Sequence, residues 1–330
     1  MSRGPGRRAV IGYLVSSAPY ITGALAFVLS PLLLPTYLQS MLTKVLIFSI
    51  FAMSLNLLWG YTGLIVFGHA AFFGVAAYTN GILITRYGIE SFWLAAPIAI
   101  LITVLVAAAF GFIALQASGT YFSFITLALG LLVYSAASKW RSMTGGHDGL
   151  IGIPLPDLGL PWFTTWNATY FYFFVFLAFA VCFFLLYRLA SSPFGYALQG
   201  IREDEPRMRS LGYNTWLHKY IAFVIAGLFA GIAGVLYSHL MRAVFLNFVG
   251  MLTSFLAVFI TVIGGSGVIF GPVVGSIIII FLEYFSSLYA PERWPLILGI
   301  VFVIVMLFLR EGVSPYLVRV WKKVIPIWKP

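Results

Sequence analysis

Hydrophobic residues run through this chain in long blocks, neither alternating as in a half-buried strand nor confined to one stripe as in a soluble helix. Ten blocks stand out, at roughly 10–33, 40–59, 62–85, 92–114, 119–138, 169–188, 219–240, 250–264, 272–290 and 294–310. Most approach the ~20 residues with which a helix crosses a hydrocarbon layer about 30 Å thick. Helices are expected because they satisfy their own backbone hydrogen bonds in lipid, whereas barrel strands are shorter and alternate. The expected fold class is an all-α integral membrane protein, a polytopic bundle of about ten transmembrane helices forming a single domain over residues 1–330. One polar interval interrupts the pattern, Ser191 to Asn214, SSPFGYALQGIREDEPRMRSLGYN, dense in both signs of charge.

Composition agrees. The 330 residues are 62% hydrophobic and 8% charged, far below the ~25% charged of a soluble domain, and the mean hydropathy is +1.02. The net charge of +10 does not point to nucleic acid, because the basic residues are scattered over loops rather than gathered on one face. Membrane orientation accounts for them. With the N-terminus inside, the cytoplasmic side collects Arg3, Arg7, Arg8, Arg188, Arg202, Arg207, Arg209, Lys219, Arg310, Arg319, Lys322, Lys323 and Lys329. The opposite side collects Lys44, Arg86, Lys139, Arg141, Arg242 and Arg293. That bias places both termini and the 191–214 interval in the cytoplasm. The basic start MSRGPGRR resembles a signal peptide, but the long apolar run behind it lacks a small-residue cleavage site, so it is expected to stay as the first span. Cys182, the only cysteine, leaves no disulfide framework or cysteine metal site.

Glycine breaks two spans. Gly60-Tyr-Thr-Gly63 with Gly68-His-Ala-Ala-Phe-Phe-Gly74 either packs tightly against a neighbour or interrupts the helix at membrane depth. Gly264, Gly265, Gly267, Gly271 and Pro272 read as a hinge between the eighth and ninth spans, a re-entrant turn or a plain tight loop. The longest exterior loop, 139–168, carries the turn-rich stretch Thr144 to Gly149 and then three prolines, and either seats an external partner or merely connects.

Within the polar interval, Ser191-Ser192-Pro193 is a helix start, a capping hydroxyl followed by a first-turn proline. About two turns follow, from Gly195 to Ile201. The acids Glu203, Asp204 and Glu205 precede Pro206, so a second short helix begins with negative charge at its positive dipole end and finishes at Gly212, a C-capping residue. Apolar faces on both, including Met208 and Leu211, pack on the membrane domain or into a partner's groove.

The run G-x-A-L-x-x-I-R-E-D-E-P-R-x-x-S-L-G-Y in this interval resembles the cytoplasmic coupling motif of the branched-chain amino-acid ABC transporter permeases, of the LivM type. Further segments follow in that family's order: GYTGLIVFGHAAFFGVAAYT (60–79), GTYFSFITLALG (119–130), TGGHDGLIGIP (144–154), AFVIAGLFAGIAGVLY (222–237), GGSGVIFGPVVGS (264–276) and LREGV (309–313). The resemblance covers about residues 40–315. It implies a multi-pass permease of a bacterial-type inner membrane, working with a second, related permease, two ATP-binding subunits and an extracytoplasmic solute-binding protein. It also implies that Gly195, Ile201, Arg202, Glu203, Asp204, Glu205, Pro206, Leu211 and Gly212 form the ATPase-coupling loop, whose displacement switches outward-facing to inward-facing access. The chain has no Gly-Lys dipeptide and hence no phosphate-binding loop. It is therefore expected to be a transport subunit rather than an enzyme and to bind no cofactor, with ATP and Mg on partner chains.

Polar groups inside spans are the candidates for the solute path: Asn56, Gly68, His69 and Glu283. Each has a structural alternative, a bond between helices for Asn56 and His69 and an ion pair with a basic group for Glu283. Val66 and Leu131 stand where many relatives carry polar residues, which makes the interior more apolar and leaves open an aromatic or otherwise hydrophobic amino acid, or a carboxylate. A urea permease of the same superfamily, a stand-alone channel and an ion-driven transporter are the alternatives. An ion-driven transporter calls for acid pairs within the membrane, and the spans offer only Glu283. A membrane enzyme is disfavoured, because the four histidines fall in different spans or loops without metal-binding or nucleophile spacing.

Overall fold

The computed structural model describes residues 27, 34–156, 168–289, 291–309 and 312–316. Apart from residue 27, the first expected span, 10–33, lies outside the described residues, as do both chain ends and residues 157–167 of the 139–168 loop. The other nine spans are helices. They are α1 (Thr36–Asn56), continued by a π-helical turn (Leu57–Tyr61), α2 (Ala70–Thr85), α3 (Phe92–Ala114), α4 (Thr120–Lys139) with the single turn α5 (Arg141–Thr144), α6 (Ala168–Ala190), α9 (Thr215–Met241), α10 (Met251–Gly264), α11 (Gly271–Tyr289) and α12 (Trp294–Phe308). Between α6 and α9 lie two short helices, α7 (Pro193–Glu203) and α8 (Glu205–Ser210).

Six helices are long and apolar enough to cross a membrane: Thr36–Tyr61, α3, α4, α6, α9 and α11. Helices α2, α10 and Pro295–Phe308 are apolar but shorter. At 1.5 Å per residue, the 16 residues of α2 and 14 of α10 reach only about 24 and 21 Å. Among the described residues the apolar spans thus comprise six long helices and three shorter ones.

Helix α1 is the axis of the fold. In Thr36–Tyr61, 89% of the apolar window is buried, against 22–28% in α3, α4 and α6, and Val45, Leu46, Ile47, Ile50 and Phe51 have no exposed surface. A helix apolar on every side belongs at the centre of a bundle. Around it pack α6, α9, α10 and α11. Helix α9 approaches its neighbours closely through small residues: Gly227 lies against Ala107 of α3, Gly231 against Thr103 of α3, and Gly234 against the Phe73 carbonyl of α2. Close backbone approach over small side chains supplies van der Waals contact where lipid gives no hydrophobic drive between helices. The peripheral helices instead expose Leu101, Leu105, Phe112, Leu132, Leu177 and Phe184.

The 62–85 block is a helix only from Ala70. Residues 62–69 are irregular, with Gly63 at φ +76°. Non-helical backbone survives at membrane depth only where protein replaces the missing bonds. The Phe67 N–H donates to Thr126 Oγ1 (3.2 Å), Ser123 Oγ donates to the Ile65 carbonyl (2.8 Å) and the Ala70 N–H donates to Ser254 Oγ (2.9 Å). A side chain on Gly68 would collide with the Thr126 carbonyl.

At the end of the bundle remote from α7, a two-stranded antiparallel ribbon pairs β1 (Leu150–Ile151) with β2 (Ala243–Val244). His239 fastens the segment beside it, with Nδ1 2.8 Å from the Pro154 carbonyl and Nε2 3.1 Å from the Asn80 side-chain amide. The described part of the 139–168 loop is thus tied to α2 and α9.

Candidate functional site

One seam of polar groups inside the bundle runs between α1 and α11 with the turn before it. At one end Lys44 Nζ donates to both Glu283 carboxylate oxygens, at 2.9 and 2.8 Å. Near the middle Ser49 Oγ and Ser276 Oγ share a hydrogen bond of 2.5 Å. At the other end Asn56 uses both faces of its amide: Nδ2 donates to the Val268 carbonyl and Oδ1 accepts from the Gly267 N–H, each at 2.9 Å. Lys44 and Asn56 are 12 residues apart on α1, so the seam runs about 18 Å. Serine and asparagine in an apolar helix are stable only when bonded in this way.

The backbone is also tightly packed at the Asn56 end. A Cβ on Gly60 would overlap both Asn56 Oδ1 and the Gly267 nitrogen, so the π-helical turn and the glycine-rich turn touch main chain to main chain. Gly267 also takes φ +83°, a left-handed conformation that other residues adopt only with strain. Arg202, from α7, reaches the same junction, where its Nη1 donates to the Gly60 carbonyl. The polar interval is therefore joined directly to both glycine-broken segments.

The interval itself has the expected caps. Ser192 Oγ accepts from the Gly195 N–H (3.3 Å), and Asp204 Oδ1 accepts from the Arg207 N–H (3.0 Å) to start α8. Gly212, at φ +89°, ends α8 with its N–H on the Arg209 carbonyl. Of the coupling residues, Gly195 and Ile201 are buried, together with Ala197 and Leu198. Glu203, Asp204, Pro206, Leu211 and Gly212 are exposed, as are Tyr196 and Tyr213. The corner acids differ in surroundings: Glu205 holds Lys219 and, at 3.1 Å, Arg209. Partial burial pushes the Glu205 carboxyl upward, but the hydrogen bond and charge of Lys219 outweigh it and hold the group below its usual range.

His69 is fully buried at the start of α2. Its Nε2 lies 2.8 Å from Ser54 Oγ, and its ring stacks on Phe51 at 5.2 Å and meets Phe72 edge-on. Gly68 lies beside it against α4. The four path candidates consequently part company: Asn56 and Glu283 stand at opposite ends of the seam, while Gly68 and His69 sit in the break packed on α4. Sequence reasoning missed Lys44, Ser49, Ser276 and the Gly60 carbonyl. A lysine within an apolar block was the available signal for the first, whereas nothing in the sequence marks which serines face each other. Among the described residues no group of three or more His, Cys, Asp or Glu is placed to hold a metal ion.

Comparison with known proteins finds relatives that cover most of the chain. The chain is 29% identical over 294 residues, 83% of its length and 69% of theirs, to the high-affinity branched-chain amino acid transport system permease proteins LivM of Escherichia coli (strain K12) and Salmonella typhimurium. It is 24% identical over 302 residues, 84% of its length, to the LivH protein of the S. typhimurium system, covering 95% of that protein. No solved structure matches. The family model of the branched-chain amino acid transport system permease component matches residues 37–306, from the second residue of α1 almost to the end of α12, and the chain belongs to that family.

Proposed function

We propose that this chain is the LivM-like membrane subunit of an ATP-binding-cassette importer for branched-chain or related apolar amino acids, in a bacterial-type inner membrane. Two separate ATP-binding subunits dock on the 191–214 interval, a LivH-like permease completes the membrane part, and an extracytoplasmic binding protein delivers the solute. The observation that carries the reading is the bond from Arg202 to the Gly60 carbonyl. An interval with an exposed face of Tyr196, Leu211 and Tyr213 holds, by its other side, the point where the broken ends of two helical segments meet. Push on the exposed face, and the push arrives at the Gly60–Gly267 contact. The likeness to both LivM and LivH proteins supports a pair of related permeases.

The geometry supports a lever mechanism. Helices α7 and α8 are short, capped and packed edge to edge, with Met208 against Gly200, so they transmit displacement rather than absorb it. ATP-driven closure of the partner subunits moves them. Arg202 carries the motion to the π-helical turn, and Asn56 carries it on to the turn that leads into α11. The test is uptake of radiolabelled L-leucine by proteoliposomes holding this chain with its partner subunits and binding protein. ATP-dependent accumulation is expected; equal uptake without ATP would replace this reading with a channel.

A further inference from the structure

The seam ends in a cavity at the side of the bundle remote from α7. It has a volume of about 270 Å³ and is lined by Lys44 and Glu283, by Tyr37 and Tyr284, and by an apolar wall that includes Leu240 and Ile280. The two tyrosine rings lie 5.4 Å apart in its lining. Pockets for drug-sized ligands run to about 300–1,000 Å³, so this one suits a smaller molecule. We propose that the Lys44–Glu283 cavity is a binding site for the zwitterionic head of an apolar α-amino acid, the first site that a solute meets in this chain. The inference rests on the importer reading above.

The chemistry of the lining selects that class. Lysine carries three N–H donors, and two of them meet Glu283; each carboxylate oxygen has acceptor capacity beyond one bond. The third Lys44 donor receives the ligand carboxylate, and the remaining Glu283 lone pairs receive its ammonium. An isolated charge in the membrane is costly, but a charge meeting its opposite in a paired site is not left bare. A ligand bearing both charges keeps the cavity neutral, whereas a plain carboxylate or a plain amine adds a charge without a partner. Leu240 and Ile280 lie where an aliphatic side chain rests. The side chains are only 20% and 27% exposed for Lys44 and Glu283, which leaves the head group sheltered yet reachable.

The seam gives the site a second property. Lys44 and Glu283 are carried by α1 and α11, and Asn56 fastens α1 to the turn that leads into α11 near Arg202. Occupation of the cavity and displacement of the 191–214 interval therefore act on the same pair of helices from opposite ends.

The experiment uses the full permease assembly in lipid nanodiscs without the solute-binding protein. Saturation-transfer NMR reports binding of L-leucine, of 4-methylpentanoate, which lacks the ammonium, and of 3-methylbutylamine, which lacks the carboxylate. Leucine is expected to bind at least about tenfold more tightly than either analogue, a difference of about 1.4 kcal/mol. A single neutralisation strands the other charge, so the double variant Lys44→Met/Glu283→Leu carries the test, and it should fold and lose the leucine signal. A folded double variant that binds leucine like wild type, or equal binding of all three probes by wild type, overturns the site. Failure of ATP-dependent leucine uptake by the wild-type assembly overturns the importer reading instead.

Discussion

Arg202 and Gly60 lie 142 positions apart in sequence, and a hydrogen bond from the guanidinium of one to the carbonyl of the other joins α7 to the π-helical turn that continues α1. A bond with a charged donor is worth about 1.5–3 kcal/mol. Arg202→Ala should therefore leave assembly with the ATP-binding subunits intact while lowering coupled transport. ATP hydrolysis should continue and leucine uptake per ATP should fall severalfold. If Arg202→Ala instead releases the ATP-binding subunits with coupling unchanged, the residue serves the docking face.

Glu203 and Asp204 point outward, whereas Glu205 is engaged by Lys219 and Arg209. Replacing Glu203, Asp204 and Glu205 together by alanine should abolish ATP-dependent uptake without preventing membrane insertion. Glu203→Ala alone should reduce uptake with the fold of the interval unchanged, since its removal strands no buried partner. Uptake by the triple variant at the wild-type rate would exclude the acidic corner from coupling.

The depressed titration of Glu205 has a pH consequence. A carboxyl that binds its proton less readily in the folded state than in the unfolded one contributes its full stabilisation above the ordinary value of about 4.3. That contribution is lost as pH falls through the lowered folded value. Amide exchange corrected for intrinsic rate should show α8 protected at neutral pH and loosened in acid, and Glu205→Gln should remove the pH dependence. A protection pattern unaffected by Glu205→Gln would mean that Lys219 and Arg209 do not hold α8 through this side chain.

Gly60→Ala places a methyl group where Asn56 Oδ1 and the Gly267 nitrogen already meet. Overpacking costs about 1–3 kcal/mol, and a displaced Asn56 amide left without its partners adds about 1–3 kcal/mol. The thermal midpoint in detergent should drop by several degrees or more. Gly212→Ala, where a Cβ meets open space and only the positive φ resists it, should be milder. Equal midpoints for wild type and Gly60→Ala would show that the junction opens at little cost.

His69→Ala removes a buried ring that stacks on Phe51 and bonds Ser54. Large-to-small changes of this kind cost about 2–5 kcal/mol, so the yield of folded protein should fall. A variant that keeps its yield and midpoint but changes which amino acids are taken up would assign His69 to the path.

Much of this fold is legible in the sequence because lipid imposes simple rules. Blocks of apolar residues mark nine of the described helices, and Ser192, Asp204 and Gly212 mark the caps of α7 and α8, since capping depends on residues a few positions apart. The break at 62–69 is visible as glycine. Its length is not, because the bonds that make irregular backbone tolerable come from Ser123, Thr126 and Ser254 on other helices. Glu283 reads as a residue in need of a basic partner. That the partner is Lys44 depends on the rotation of α1 against α11, which no local pattern specifies.

The bonds Lys44–Glu283 and Ser49–Ser276 tie α1 to α11, and Asn56–Gly267 ties α1 to the turn that leads into α11, so the two rods are braced at three heights. Rods tied at a single height can pivot like scissors, and at two they can still twist apart at the untied end. Tied at both ends and between, they have no play: a shift of one at either end drags the other with it along the full 18 Å. Whatever bends during a cycle must then bend elsewhere, in the irregular stretch before Ala70 or over the glycines of α9, and the braced pair is the part of this protein that stays straight.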